Sequence, residues 1–144
     1  MATDRHAEAS WQGSLTEGSG RIERVGTGAF GPLPVSWRAR AEEPGDETSP
    51  EELIAAAHAA CFAMALSLEL AEGGNAPERL DTRADVTFEP GTGITRVQLA
   101  VRGRVPGLDE DAFREAAEAA RAGCPVSQAL AGVPEITLDA ALAG

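Results

Sequence analysis

Cys61 lies in SPEELIAAAHAACFAMALSLELAEGG (49–74), among alanines and leucines, where a small buried thiol needs no special explanation. Chemistry at Cys61 needs help. A free thiol has a pKa near 8.5, so only about a few per cent is thiolate at neutrality. The position is too deep in a helix for the dipole of the N-terminus to lower that value. Cys124, in AGCPVSQAL, is placed differently: the thiol falls at the start of a short helix, where unpaired backbone N–H groups favour an anion, though it also serves there as a plain cap. Two thiols in such settings, brought together by a fold, are what a nucleophile and its resolving partner require.

Other groups bear on that chemistry. His58 precedes Cys61 by one helical turn, so it could act as a base, or join both cysteines around Zn²⁺. No fourth ligand stands at a suitable spacing, since His6 is in the N-terminal tail, and a histidine packed in a core is the commoner case. Glu51 comes about ten residues before Cys61, roughly 15 Å along a helix axis. One straight helix cannot bring the two into one site, whereas two antiparallel helices from two chains could. A first-turn glutamate is in any case favoured by the helix dipole. Among cations able to activate a thiol, Arg40 stands just before the loop that feeds the helix, with Arg38 and Arg21 as alternatives.

The elements that must position these residues are legible from pattern. Residues 9–43 read as three strands in a meander, ASWQGSL, EGSGRIERVG and LPVSWRARAE, with Val35, Trp37 and Ala39 alternating with polar residues in the third. EPGDETSP is a polar loop. Ser49, Pro50, Glu51 and Glu52 form a helix start with an N-cap, a proline at the first position and the capping-box spacing. Gly73 and Gly74 close that helix after about 22 residues, roughly 33 Å. Its middle turns are apolar nearly all round, so it should be buried on every side, and a chain with four Phe, two Trp and no Tyr has little bulk to cover it. A second subunit is the economical cover. RADVTFEPG and GITRVQLAVRGRV then read as an antiparallel pair, DEDAFREAAEAARAG as a helix from Asp109 or Asp111 to Gly123, PVSQALAG as a short helix after Cys124, and EITLDAAL as a last strand. The order is that of an α+β fold without repeats.

Length and charge set bounds on function. A chain of 144 residues suits a single domain, 1–144. The formal charge of -11 and the lack of basic runs argue against nucleic acid and anionic membranes as partners. No secretory signal precedes the first strand, and the most apolar stretch is broken by His58 and Glu69, so a soluble, cytoplasmic protein is expected. In a reducing compartment, two cysteines are core residues or active thiols rather than a disulfide scaffold.

Together, SPEELIAAAHAACFAMALSLELAE, AGCPVSQAL and EITLDAAL closely resemble the OsmC (osmotically inducible protein C) branch of the OsmC/Ohr peroxidase family. WQGSL, DTRADVTF and VPGLD extend the match over nearly the whole chain in order. The resemblance implies an intertwined homodimer, with long central helices wrapped by antiparallel sheets from both chains and active sites at the interface. It implies a peroxidase that reduces organic hydroperoxides, and hydrogen peroxide more weakly. Carried over by motif, Cys61 is the peroxidatic thiol, Cys124 the resolving thiol and Glu51 the acid partner of an activating arginine. That arginine is Arg40, or Arg21 if the sister branch is followed. No bound cofactor or metal is implied, and the reductant is a dithiol, in this family a lipoylated protein. The competing class is a non-enzymatic redox sensor, or a zinc or small-molecule binding protein, on the same fold.

Overall fold

A computed structural model of the chain describes residues 1–143. Two compact units divide it, Met1–Leu53 and Ile54–Gly144.

The first unit carries a three-stranded antiparallel sheet, β1 (Ala7–Gln12), β2 (Ser19–Val25) and β3 (Leu33–Val35), in the order β1-β2-β3. The expected third strand is cut short. Ser36 turns the chain: its side chain accepts from the Ala39 N–H at 3.1 Å, and a five-residue helix, α1 (Trp37–Ala41), follows. A serine able to satisfy an orphan N–H outweighed the alternation of residues 35–40. Arg40 is therefore on α1 rather than on a strand. The Ser36 hydroxyl also donates to Glu47 at 2.7 Å, and a parallel bridge joins Val35 to Thr48, tying the incoming loop to the sheet.

The long helix α2 (Pro50–Glu72) begins in this unit and starts as its sequence requires. Ser49 Oγ accepts from the Glu52 N–H at 3.1 Å, while the Glu52 carboxylate accepts from the Thr48 hydroxyl at 2.8 Å rather than closing a reciprocal box. Its far end is a Schellman motif, with Asn75 N–H on Leu70 C=O at 2.9 Å and Gly74 N–H on Ala71 C=O at 3.0 Å. Gly74 has φ +91°, a conformation that an L side chain resists.

The second unit is a three-stranded sheet with helices against it. β4 (Arg79–Glu89) and β5 (Gly93–Arg104) pair antiparallel, and β6 (Glu135–Leu142) pairs parallel to β5. The sheet is thus mixed, where antiparallel sheets were expected. The reason is the connection: α3 (Glu110–Gly123) and α4 (Pro125–Ala129) lie between β5 and β6, long enough to return the chain in the same direction. Asp109 caps α3, accepting from Ala112 N–H at 2.8 Å. On β5, Val97, Leu99 and Val101 point inward while Gln98, Arg102 and Arg104 face out. They join Phe113, Ala117 and Ala120 of α3 in one core. Gly103 belongs to the same inward row, where a Cβ would meet the Phe113 ring at 2.6 Å, so glycine leaves the room that ring occupies.

Within Ile54–Gly144, α2 contributes Phe62, Leu66 and Leu70 to this core, with His58 one turn earlier on the same buried line. The opposite face is open rather than buried all round: Ala56, Ala57 and Ala60 are exposed, as are Met64 at 72% and Leu68 at 58%.

Candidate active site

Each cysteine has a polar side chain one turn away on its own helix. His58 precedes Cys61 on α2, and Ser127 follows Cys124 on α4. The fold brings the two sets together. Cys61 and Cys124 are free thiols with sulfurs 2.9 Å apart, and His58 Nε2 meets Ser127 Oγ at 2.7 Å. Cys124 and His58 have no accessible surface, whereas Cys61 is partly exposed.

Cys124 is at once the C-cap of α3 and the N-cap of α4, with Pro125 at the first position of α4. Its backbone is fixed on both sides, the N–H donating to Ala120 at 2.8 Å and the C=O accepting from Gln128 at 3.0 Å. The thiol makes no side-chain capping hydrogen bond there. Burial pushes the Cys124 thiol up, but its contact with Cys61 and the neighbouring polar groups of Val126 and Ser127 together hold it below its ordinary value. Cys61 goes the other way: burial pushes it up, and so does hydrogen bonding to Cys124, with the Val126 backbone opposing. The two directions favour a thiolate on Cys124 over one on Cys61. Burial also lowers His58, which is a neutral imidazole. Its ring is directed at Ser127 rather than at the sulfurs, and the described residues hold no group of three or more His, Cys, Asp or Glu side chains fit to bind a metal.

In the unit Met1–Leu53, Arg40 and Glu51 form a forked ion pair. Arg40 Nε donates to Glu51 Oε1 and Oε2 at 3.0 and 3.2 Å, and a terminal guanidinium nitrogen donates to Oε2 at 2.8 Å. Glu51 is only 6% exposed, and its place in the first turn of α2 adds the helix dipole to the arginine's charge. Arg21, the alternative cation, is exposed and bonded to Glu23. A largely apolar groove of about 500 Å³ runs beside Arg40, lined among others by Trp11, Leu15, Ile22, Val35 and Trp37.

Of the residues singled out in the sequence, two pairs therefore form, Cys61 with Cys124 and Arg40 with Glu51. Ser127 was not singled out. Its signal was the spacing that mirrors His58 and Cys61, one turn from a cysteine on a second helix.

Residues 43–139 match the family described as OsmC, OsmC-like protein. The chain is also 43% identical over 143 residues to peroxiredoxin OsmC of Escherichia coli, covering 96% of each. The chain belongs to the OsmC family. A further relative of this OsmC-family chain is the organic hydroperoxide resistance protein of Xanthomonas axonopodis pv. citri, 31% identical over 67% of the chain and 69% of the relative. Among solved structures, it superimposes on an organic hydroperoxide resistance protein from Elizabethkingia anophelis with TM-score 0.67 and 25% identity, covering 97% and 99% of the two chains. An OsmC protein from Legionella pneumophila shares the fold, with TM-score 0.69 at 22% identity over 94% and 96%. The α+β architecture of two sheets and helices is thus the OsmC/Ohr fold.

Proposed function

We propose that this protein is a thiol-dependent peroxidase that reduces organic hydroperoxides, and hydrogen peroxide more weakly. The observation that carries the reading is the pair of free thiols at 2.9 Å, poised for a disulfide. The names of the relatives, a peroxiredoxin and an organic hydroperoxide resistance protein, support the same class.

In this reading the Cys61 thiolate attacks the terminal oxygen of the hydroperoxide. The O–O bond breaks, the alcohol leaves with a proton, and Cys61 becomes a sulfenic acid. Because burial and Cys124 both raise the Cys61 pKa, the attack needs a cation to stabilise the thiolate and polarise the peroxide, and we assign that role to Arg40 held by Glu51. The separation of Glu51 from Cys61 along α2, roughly 15 Å, supports pairing the Arg40–Glu51 fork of one chain with the cysteines of another. The working protein is then an intertwined homodimer of OsmC-like domains, each spanning 1–144, with the open face of α2 at its centre. The apolar groove beside Arg40 suits the organic part of a lipid-like or aryl hydroperoxide. Cys124 resolves the sulfenic acid as a disulfide, which a dithiol such as a lipoylated protein returns to thiols by exchange. No cofactor enters the cycle, and a cytoplasmic setting supplies the reductant.

Turnover with cumene hydroperoxide and hydrogen peroxide side by side, under reduced lipoamide, tests the proposal. Cys61→Ser abolishes consumption of both, and Cys124→Ser keeps one turnover but accumulates Cys61 sulfinic acid by intact mass. Arg40→Lys, which loses the fork, lowers kcat/KM by about a hundredfold, while Arg21→Lys leaves it within twofold. Undiminished consumption by Cys61→Ser would sink the peroxidase reading.

A further inference from the structure

His58 and Ser127 have no part in the chemistry assigned so far, yet they repeat its geometry one turn away. Cys61 and Cys124 bring their sulfurs to 2.9 Å, and His58 Nε2 and Ser127 Oγ meet at 2.7 Å between the same two segments. On α2 the two positions are one turn apart, about 4.5 Å along the axis, and on the α4 side Ser127 again follows Cys124 by three residues. The sides of this frame are stiff. His58 and Cys61 belong to the 23-residue α2, while Gln128 N–H closes on Cys124 C=O at 3.0 Å around Ser127 and Leu130 N–H continues the helix to Val126 C=O at 2.9 Å. A place fixed for Ser127 is thereby fixed for the Cys124 backbone. Packing alone does not account for the pair. His58 has no accessible surface, and its Nδ1 has no partner among the described residues, a cost that an apolar side chain would not carry. A bare lone pair there costs less than an orphaned N–H, which puts the proton on Nε2, donating to Ser127 Oγ. Apolar contacts tolerate sliding, whereas a hydrogen bond weakens steeply as its length and angle change, so this one sets where α4 stands against α2.

We infer that the His58–Ser127 hydrogen bond is a buried pin between α2 and α4 that keeps the Cys124 sulfur within reach of the Cys61 sulfur for the resolving step. This rests on the peroxidase reading for the step it serves. In that step the Cys124 sulfur attacks the sulfur of Cys61 sulfenic acid, the S–O bond breaks as the S–S bond forms, and the hydroxide leaves as water with the proton of the Cys124 thiol. The Cys61 sulfur is reduced as the Cys124 sulfur is oxidised, with the earlier peroxide as the source of oxidising equivalents. His58 and Ser127 are positioning residues here: they raise the effective concentration of one thiol at the other. A single contact between two segments leaves a pivot, and a second one a turn away removes it.

The first arm of the test is free of peroxide. The full chain is equilibrated with mixtures of reduced and oxidised dithiothreitol, which exchange two electrons and two protons with the Cys61–Cys124 pair, and its thiols are counted by alkylation and intact mass. Ser127→Ala and His58→Leu lower the effective concentration about tenfold, which raises the potential of the pair by about 30 mV. His58→Gln, whose side-chain amide still donates to Ser127, and Ser127→Thr, which keeps the hydroxyl, stay within about twofold of wild type. A core defect that weakens the reduced and oxidised chains alike lowers Tm but leaves this potential where it was, so the readout separates a pin from packing. The second arm follows single turnovers with cumene hydroperoxide: in Ser127→Ala, disulfide formation slows about tenfold relative to sulfenic acid formation, and Cys61 sulfinic acid accumulates. An unchanged potential in Ser127→Ala overturns the inference. So does His58→Gln shifting as far as His58→Leu, which would make the ring a packing element; either series decides alone if a variant of the other does not fold. A wild-type chain that forms no Cys61–Cys124 disulfide in these mixtures overturns it as well. If the wild-type chain consumes no hydroperoxide, the peroxidase reading fails, and the potentials still decide whether the pin exists.

Discussion

A neutral imidazole sealed in a core makes stability depend on acid. The unfolded chain binds a proton at His58 near pH 6.5, while burial lowers the folded value. Below 6.5 the unfolded state therefore takes up the proton first, and the folded protein loses stability progressively until the pH falls below the folded pKa. Urea midpoints at pH 7.5 and 5.0 should show a larger acid loss for wild type than for His58→Gln; equal losses would mean that the imidazole is not held neutral. At this scale the sequence was legible in part. The two cysteines could be suspected as a pair because each was in a helical setting, and Arg40 was named because it precedes the loop into α2. The partner of His58 was not legible. One turn from Cys61, the imidazole pointed to a base or a zinc ligand, yet a hydroxyl supplied by another helix captured the ring. The spacing of Ser127 one turn from Cys124 sets it near a thiol, but nothing in that spacing says which imidazole it will meet across the fold.

Helix ends were the most readable elements, because capping is local. Ser49 and Asp109 make the expected N-terminal bonds, and Gly74 makes the C-terminal turn. Gly74 also offers a clean test, since a Cβ there meets nothing within 4 Å and φ is +91°. Gly74→Ala should cost about 1–2 kcal/mol through backbone strain alone, whereas Gly73→Ala, without that φ, should stay within about 0.5 kcal/mol in denaturant unfolding. Equal effects would mean that the turn relaxes. Two features escaped sequence reading for physical reasons. α1 was taken as strand because residues 35–40 alternate apolar with polar, and the Ser36 cap, a local bond the alternation does not show, decided it as helix. The parallel pairing of β6 with β5 depends on where α3 and α4 carry the chain, which the pattern of β6 itself does not encode.

Across the whole molecule, the composition of α2 already marks a helix too apolar for its own chain to cover, and α2 does leave an Ala, Met and Leu face open. By length and composition α2 would also pass as a membrane span, but its other face is committed to the core through Phe62, Leu66 and Leu70. The proposed homodimer uses the open face, and it makes stability depend on concentration: each tenfold dilution costs about 1.4 kcal/mol per mole of dimer. Tm should therefore fall by a few degrees over that dilution. Sedimentation should give twice the chain mass at micromolar concentration, and Met64→Glu should reduce it. A monomer with a concentration-independent Tm would refute the assembly.

The way Cys124 is fixed at the α3–α4 junction also bears on what oxidation could communicate. With its N–H and C=O both held by helical bonds and its sulfur 2.9 Å from Cys61, closing the bond to the ~2.05 Å of a disulfide asks for less than about 1 Å of sulfur travel. A messenger must look different in its two states, because a listener responds only to a difference it can bind. So short a travel asks for no shift of α3 or α4, and a disulfide formed this way could be spent on a substrate and erased by a reductant while offering a listener little to bind.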